Sequence, residues 1–530
     1  MPKSLLSAPV LLYFKGDMNH LPDYDLCIIG GGINGTGIAR DAVGRGLSVL
    51  LLEAGDLASA TSSASTKLIH GGLRYLEYYE FGLVRESLKE REALLKLAPH
   101  LIRPMEFILP HDKAQRPRWL IRLGLFVYDR LGGRKSLKSS KGVNLAKTSY
   151  GTPLQLHLAK GFRYSDCWAD DSRLVAANAV DAARNGAEIL TRTACTRIVS
   201  EERGWTVTVR DMETGAERDI TAGMAVNAAG PWVRSLLEMS NLTVPETPSV
   251  RLVKGSHIII PKAYEGDHAY MLQQPDKRIV FVIPYEKYQT LIGTTEVDFT
   301  GDPSQAIISE FEIEYLCGAF NRAFKNQIEK KHILWTYSGV RPLFDDGDAD
   351  ATTVTRDYRI YHHKNFSKPF LSIFGGKLTT YRMLAEKTVT KLLELSGHTT
   401  LPWTKGEPLP GGNIPGADFE KFLQAQMKKY SWLPMDLVQR YARSYGTYMD
   451  RFLDGASKPD DLGRHYGDNV YEAEIVYLVK MEWAKTIEDI LWRRSKLGMH
   501  IAEETQRNIE RALPGILRKG DKSEYRASGH

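Results

Sequence analysis

Cysteine is scarce in this chain of 530 residues. The four present, Cys27, Cys167, Cys195 and Cys317, stand far apart and form no C-x-x-C pair. That spacing excludes a disulfide scaffold and a thiolate zinc site, fits a reducing compartment, and leaves no metal expected. Long apolar runs are missing too, since none reaches the roughly 18 to 20 residues that a membrane-spanning helix needs. The apolar stretch from Leu5 to Phe14 follows a single lysine and ends in no A-x-A-like site, so residues 1–21 read as an N-terminal extension rather than a signal peptide. Charge of one sign is also lacking. The 70 Lys and Arg exceed the 64 Asp and Glu by only six, too little to announce a nucleic-acid partner. A content of 43% hydrophobic, 10% aromatic and 25% charged residues excludes a disordered or coiled-coil chain, and the length suits two or three domains.

What is present begins near the N-terminus. The apolar run Tyr24 to Ile29 meets Gly30-Gly31-Gly32-Ile33-Asn34-Gly35, a helical pattern follows, and a second apolar run from Leu47 ends on Glu53. This is a βαβ unit with the dinucleotide fingerprint. Gly30 permits the tight turn, Gly32 lets the backbone approach a pyrophosphate, and Gly35 allows helix and strand to pack closely. The helix N-terminus then faces the phosphates and Glu53 accepts from ribose hydroxyls. A carboxylate at position 53 disfavours a 2′-phosphorylated nucleotide.

Three later features favour FAD over NAD. Residues 59–66 hold six Ser or Thr, among them Thr61, Ser62 and Ser65, suited to a phosphate or to the edge of a flavin ring. Ala228-Ala229-Gly230 is a small-residue turn after an apolar strand. Gly375-Gly376-Lys377 stands between the strand Phe370 to Phe374 and a helix, where an N-terminus would stabilise negative charge on a reduced flavin. Three such turns spread along the chain suit a large two-part cofactor.

From Lys113 to Lys141 there are nine basic residues and one acid. Projected as a helix, Trp119, Leu123 and Phe126 cluster on one side and Ile121, Leu125 and Tyr128 on nearly the other. Two readings stay open: a helix lying on an anionic lipid surface, and a buried helix with basic ends. Which basic residues serve a reaction centre is not readable here, because spacing alone selects none of the 70 bases.

Several strings carry a family resemblance: DLCIIGGGINGTGIARDAVGRGLSVLLLE, TSSASTKLIHGGLRYLEYYEFGLV, GFRYSDCWADDSRLV, GSHIII, RIVFVIPYEKYQTLIGTTEVDF, WTYSGVRPL, TRDY and FGGKLTTYR. Over residues 22–505 the chain resembles the bacterial aerobic FAD-dependent sn-glycerol-3-phosphate dehydrogenases. The resemblance implies oxidation of sn-glycerol 3-phosphate to dihydroxyacetone phosphate, with electrons passing through FAD to a membrane quinone. It implies a cytoplasmic protein, peripheral on the inner face of the cytoplasmic membrane, and admits a homodimer. It places Arg74 and Tyr75 in the substrate pocket, Arg341 and Arg356 on the phosphate, Lys377 beside flavin and substrate, and His257 as the proton acceptor. FAD contacts are expected from Gly30, Gly32, Asn34, Gly35, Glu53, Thr61, Ser62, Ser65, Lys67, Leu68, His70, Gly230, Gly376, Lys377 and Thr379. A glycerol-3-phosphate oxidase reducing oxygen, and a non-catalytic FAD-binding sensor or scaffold, are the alternatives.

The expected fold class is α/β: a Rossmann-like FAD-binding domain of the glutathione-reductase/D-amino-acid-oxidase kind, a β-rich substrate domain and an all-α C-terminal domain. The FAD-binding domain is expected from 22–110, 161–248 and 336–400, with a basic segment at 111–160 and the β-rich domain at 249–335. The helical domain is expected at 401–518, entered through a Pro/Gly-rich linker, and a polar tail at 519–530.

Overall fold

The structure, a computed structural model, describes residues 21–112, 116–133, 136–243, 247–345 and 358–520. Two sheets organise the first four hundred residues. In the first, strands run in the order Arg359–His362, Phe370–Phe374, Glu217–Asn227, Tyr24–Ile29, Val49–Leu52 and Glu188–Leu190. From Phe370–Phe374 to Glu188–Leu190 all neighbours are parallel, and Arg359–His362 closes one edge antiparallel. Parallel strands need crossovers that bury both faces. Accordingly Tyr24–Ile29 is buried at five of six positions and Val49–Leu52 at all four. Helices Ile33–Gly44, Asp171–Arg184 and Tyr381–Leu395 pack together over this sheet.

The second sheet is larger and mixed, with Ser249–Pro261 and Trp335–Asp345 paired along eleven positions. Three boundaries expected from sequence are corrected here. Ile102–His111, Lys160–Ala169 and Trp335–Asp345, assigned to the dinucleotide domain, all belong to this second sheet. Ile102–His111 and Lys160–Ala169 pair antiparallel along their whole length, and the segment between them is an insertion on that hairpin. Apolar patterning marks a strand but not its partner.

The C-terminal part is helical with one small ribbon, His465–Gly467 against Val470–Tyr471. The expected linker is a docking segment. Trp403 stacks under Arg40 at 5.1 Å, and Leu409 is buried in the core of the first sheet. Buried ion pairs complete the junction: Arg494 holds Asp56 at 2.6 Å, and Arg173 holds Glu482. Removing one partner of such a pair strands a buried charge, at about 3–5 kcal/mol. Residues 1–20, 346–357 and 521–530, with Arg356 among them, lie outside the described residues.

Candidate active site

The βαβ turn has the geometry its residues predict. Gly30 is left-handed at φ 115°, and a Cβ on Gly35 would stand 1.8 Å from the Gly30 carbonyl oxygen, so the two cross in contact. A Cβ on Gly32 would meet only Ser62 Oγ, at 3.0 Å, which leaves an open cradle at the start of helix Ile33–Gly44. Glu53 closes the far side, accepting from the N–H of Gly31 at 2.7 Å and of Gly55 at 2.8 Å. Burial raises its carboxyl above the ordinary value while these two donors oppose the rise. Its remaining lone pairs are free to accept from ribose hydroxyls.

Hydroxyls of the 59–66 loop mostly turn inward. Ser62 Oγ accepts from Ile33 N–H at 3.0 Å and so sits over the helix N-terminus. Thr61 donates to the Val340 carbonyl at 2.6 Å and Ser65 to Asp171 at 2.7 Å. Lys67 is 2% exposed, its ammonium 2.7 Å from Asp171. Thr61, Ser65 and Lys67 therefore direct these donors to holding the loop. Asp171, which anchors two of them, carries no signal in the sequence. Leu68 is buried in strand Leu68–Ile69.

The late glycine turn meets the early one. Asn34 Nδ2 donates to the Gly375 carbonyl at 3.1 Å, and Asn34 Oδ1 is buried without a partner. Gly375 and Gly376 are both left-handed, and a Cβ on Gly376 would press on Asn34 at 2.7 Å. Thr379 Oγ1 accepts from His70 N–H at 3.2 Å, joining the loop that follows the first cradle. The helix that follows, Tyr381–Leu395, is reached through the turn Leu378 to Thr380. Gly230, at φ 54°, has open space around it beside Ala228, whose carbonyl abuts Gly30. Three glycine turns separated by hundreds of residues thus line one trough, with one orphaned amide oxygen inside it. These residues fit a dinucleotide.

Cations gather at one end of that trough. Arg341, on Trp335–Asp345, bonds Thr294 Oγ1 at 2.8 Å and lies against the Thr295 carbonyl. Gly255 on the facing strand makes room for it, since a Cβ there would stand 2.4 Å from the guanidinium. No carboxylate pairs with Arg341 among the described residues. Burial lowers its proton affinity, and the neighbouring Tyr75 partly restores it. Lys377 Nζ is buried with no hydrogen-bond partner among the described residues and lies 3.9 Å from the ring centroid of Tyr75. Arg74 bonds Tyr78 at 3.2 Å and lies 3.8 Å from Glu296, two residues beyond Thr294.

His257 lies one layer behind. It is fully buried, stacks on Tyr337 at 4.6 Å, and shares a hydrogen bond of 2.9 Å between Nε2 and Thr66 Oγ1. Burial, then Arg341, then Lys67 push its pKa well below the usual imidazole value, so it is neutral. The family resemblance brought Arg74, Tyr75, His257, Arg341 and Lys377 forward, and the fold gathers them at this end. It missed Thr66, Thr294, Thr295 and Glu296, which hold them and whose residue types carry no signal alone.

Residues 25–382 match the FAD dependent oxidoreductase family, and residues 403–518 match the C-terminal domain of alpha-glycerophosphate oxidase. The chain is 50% identical to the D-erythritol 1-phosphate dehydrogenase of Brucella abortus, over 90% of this chain and 95% of that one. It is 49% identical to the aerobic glycerol-3-phosphate dehydrogenase of Escherichia coli, over 92% and 97%. Its fold superposes with a TM-score of 0.76 on the FAD-complexed glycerol-3-phosphate dehydrogenase of Bacillus halodurans, at 27% identity, covering 94% of this chain and 91% of that one. By glycine cradle, sheet topology and relatives alike, this chain belongs to the family of FAD-dependent oxidoreductases.

Proposed function

We propose that the protein oxidises sn-glycerol 3-phosphate to dihydroxyacetone phosphate and delivers the electrons to a membrane quinone. The observation that carries this reading is the pair Arg341 and Lys377: two half-buried cations, without a carboxylate partner among the described residues, converging on Tyr75 beside the glycine turns. Two uncompensated positive charges in a buried site are costly unless a dianion completes them. A phosphomonoester supplies that charge, and the fork of Arg341 suits two of its oxygens. Arg356 joins the phosphate in this reading. FAD, when bound, accepts the hydride from C2. Gly30, Gly32, Asn34, Gly35, Glu53, Ser62, His70, Gly230, Gly376 and Thr379 hold it in the trough.

The C2 hydroxyl must lose a proton as the hydride departs. His257 is neutral, the form that accepts one, and Thr66 Oγ1 stands against its Nε2. In our reading the proton passes to His257 across the Thr66 hydroxyl. Arg74 and Tyr75 border the polyol.

Membrane attachment follows from helix Arg118–Leu131. Leu125 and Tyr128 are buried, while Trp119 is 69% exposed, Leu123 50% and Phe126 43%. One face of this helix is therefore buried and the other leaves its apolar side chains exposed, which supports the lipid-surface reading. The adjoining turn adds Tyr79 at 81% exposure, and Arg118, Arg122 and Arg130 are exposed beside the patch. Among the described residues no helix is long and apolar enough to cross a membrane. An apolar patch rimmed by arginines suits an anionic leaflet on the cytoplasmic face.

The Brucella abortus relative favours a second substrate, a four-carbon polyol phosphate, which would engage the same cations. Anaerobic bleaching of the flavin absorbance decides between them. Faster bleaching by sn-glycerol 3-phosphate than by D-erythritol 1-phosphate supports the first reading, and the reverse order supports the second. Bleaching by neither leaves a non-catalytic flavoprotein. Peroxide formed in air faster than quinone is reduced would assign an oxidase.

A further inference from the structure

A cavity of about 470 Å³ lies where the 59–64 loop, the strand Trp335–Asp345 and the C-terminal helical domain meet. Nothing in the reaction at Arg341 and Lys377 uses it. Aromatic rings form part of its wall: Trp335 and Trp492 stack at 4.3 Å with 23° between their planes, and Tyr285 and Tyr337 also line it. Tyr285 is 1% exposed, and its hydroxyl is buried with no hydrogen-bond partner among the described residues. A buried phenol without an acceptor is a cost that a ligand oxygen removes.

The cations on the wall are already matched. Lys67 is held by Asp171, Arg493 by Asp56 at 2.6 Å, and Lys496 by Ser172 and the Trp492 carbonyl. An anionic ligand therefore gains little, and a neutral flat ring with a carbonyl acceptor gains most. The cavity also shares a wall with the FAD cradle. Thr61 and Ser63 line the cavity, and Ser62 between them accepts from Ile33 N–H at the glycine turn. A single layer of chain separates the two spaces.

We propose that this cavity binds the quinone, with its ring against Trp335 and Trp492 and one carbonyl oxygen accepting from Tyr285. The proposal rests on the reading that a quinone is the electron acceptor. Both quinone carbonyls become hydroxyls, taking up two electrons and two protons. These match the two electrons and two protons that the alcohol loses on becoming a ketone, so the turnover balances.

The test uses the holoenzyme, a water-soluble naphthoquinone as probe, and the variants Tyr285→Phe and Ala306→Trp. Ala306 lines the cavity from a loop, where a bulky ring fills the space without entering a core. Tryptophan fluorescence quenching should show saturable binding of the naphthoquinone to the unaltered protein. The Kd should rise about fivefold in Tyr285→Phe, on the scale of one neutral hydrogen bond, and at least tenfold in Ala306→Trp. Reoxidation of substrate-reduced protein by naphthoquinone should slow in the same order, while anaerobic bleaching and reoxidation by ferricyanide stay as in the parent. Equal binding and equal reoxidation in all three proteins would overturn the site alone. Failure of any quinone to reoxidise the parent protein, with ferricyanide still effective, would overturn the acceptor reading and this inference with it.

Discussion

The ammonium of Lys377 lies 3.9 Å from the ring centroid of Tyr75, and among the described residues no hydrogen-bond acceptor reaches it. A desolvated lysine over an aromatic face recovers only about 2 kcal/mol from the ring. That is less than the cost of burying the charge, so the lysine is poised for an anion. Arg341, which Tyr75 also influences, provides the second positive charge.

Replacing Arg341 with Lys keeps the charge and loses the fork. The KM for sn-glycerol 3-phosphate should rise on the order of tenfold, as expected for one charge-assisted bond of about 1.5 kcal/mol, with a smaller change in kcat. Lys377→Met should raise KM and lower kcat together, because the proposed function puts its ammonium beside both flavin and substrate. Steady-state kinetics with a soluble dye reads both. An unaltered KM in Arg341→Lys would place the phosphate elsewhere.

Gly32 and Gly35 should separate binding from folding. A Cβ at Gly35 would fall 1.8 Å from a backbone oxygen, whereas at Gly32 it would meet one serine hydroxyl at 3.0 Å. Gly32→Val should therefore yield folded, colourless protein with a cooperative melt, and Gly35→Val should fail to accumulate. Visible spectra and circular dichroism report the two effects. Full flavin content in Gly32→Val would remove the cradle from the cofactor site.

His257 enters the pH profile through its sign. Its pKa is depressed well below the ordinary imidazole value of about 6.5, so it is deprotonated at neutral pH and gains its proton only in acid. The rate of flavin bleaching should accordingly stay flat from pH ~8 down to ~6 and fall only below that. His257→Asn should slow bleaching by about 100-fold, within the usual range for a lost acid–base group. A limb centred at the ordinary imidazole pKa would contradict the assignment.

The exposed apolar patch on helix Arg118–Leu131 is testable without the active site. Changing Trp119, Leu123 and Phe126 to Ser should release the protein from vesicles containing anionic lipid, while dye-linked activity survives. Sedimentation with vesicles measures the partition. Undiminished binding would assign this face another role.

His100 links stability to pH. It is 3% exposed, and burial, followed by Arg173 and Arg443, lowers its pKa to about 3. In the unfolded chain it takes up a proton near pH 6.5. Between those values the unfolded state binds more protons, so stability is full above about pH 6.5 and drains as the pH falls. From pH 6.5 to 5 the loss approaches about 2 kcal/mol for this one group. His100→Gln should make the melting temperature less sensitive to acid over that interval, and an unchanged slope would contradict this.

The fingerprint from Gly30 to Glu53, the late Gly375-Gly376 turn and the helical C-terminal part were legible in the sequence. Each depends on backbone conformation or on the periodicity of neighbouring residues, and those are local properties. Trp119, Leu123 and Phe126 could be grouped on one helix face for the same reason, but which face met solvent depended on what packed behind Leu125. Sheet membership was decided only by tertiary pairing, and so Ile102–His111 lies in the second sheet beside Lys160–Ala169. The same holds for the side chains of the 59–66 loop. Serine, threonine and lysine suit a phosphate or a neighbouring carboxylate equally well, and Asp171, more than a hundred residues away, claimed Ser65 and Lys67. A hydroxyl's partner is whatever the folded chain brings within 3 Å or so, and one-dimensional order does not encode that distance.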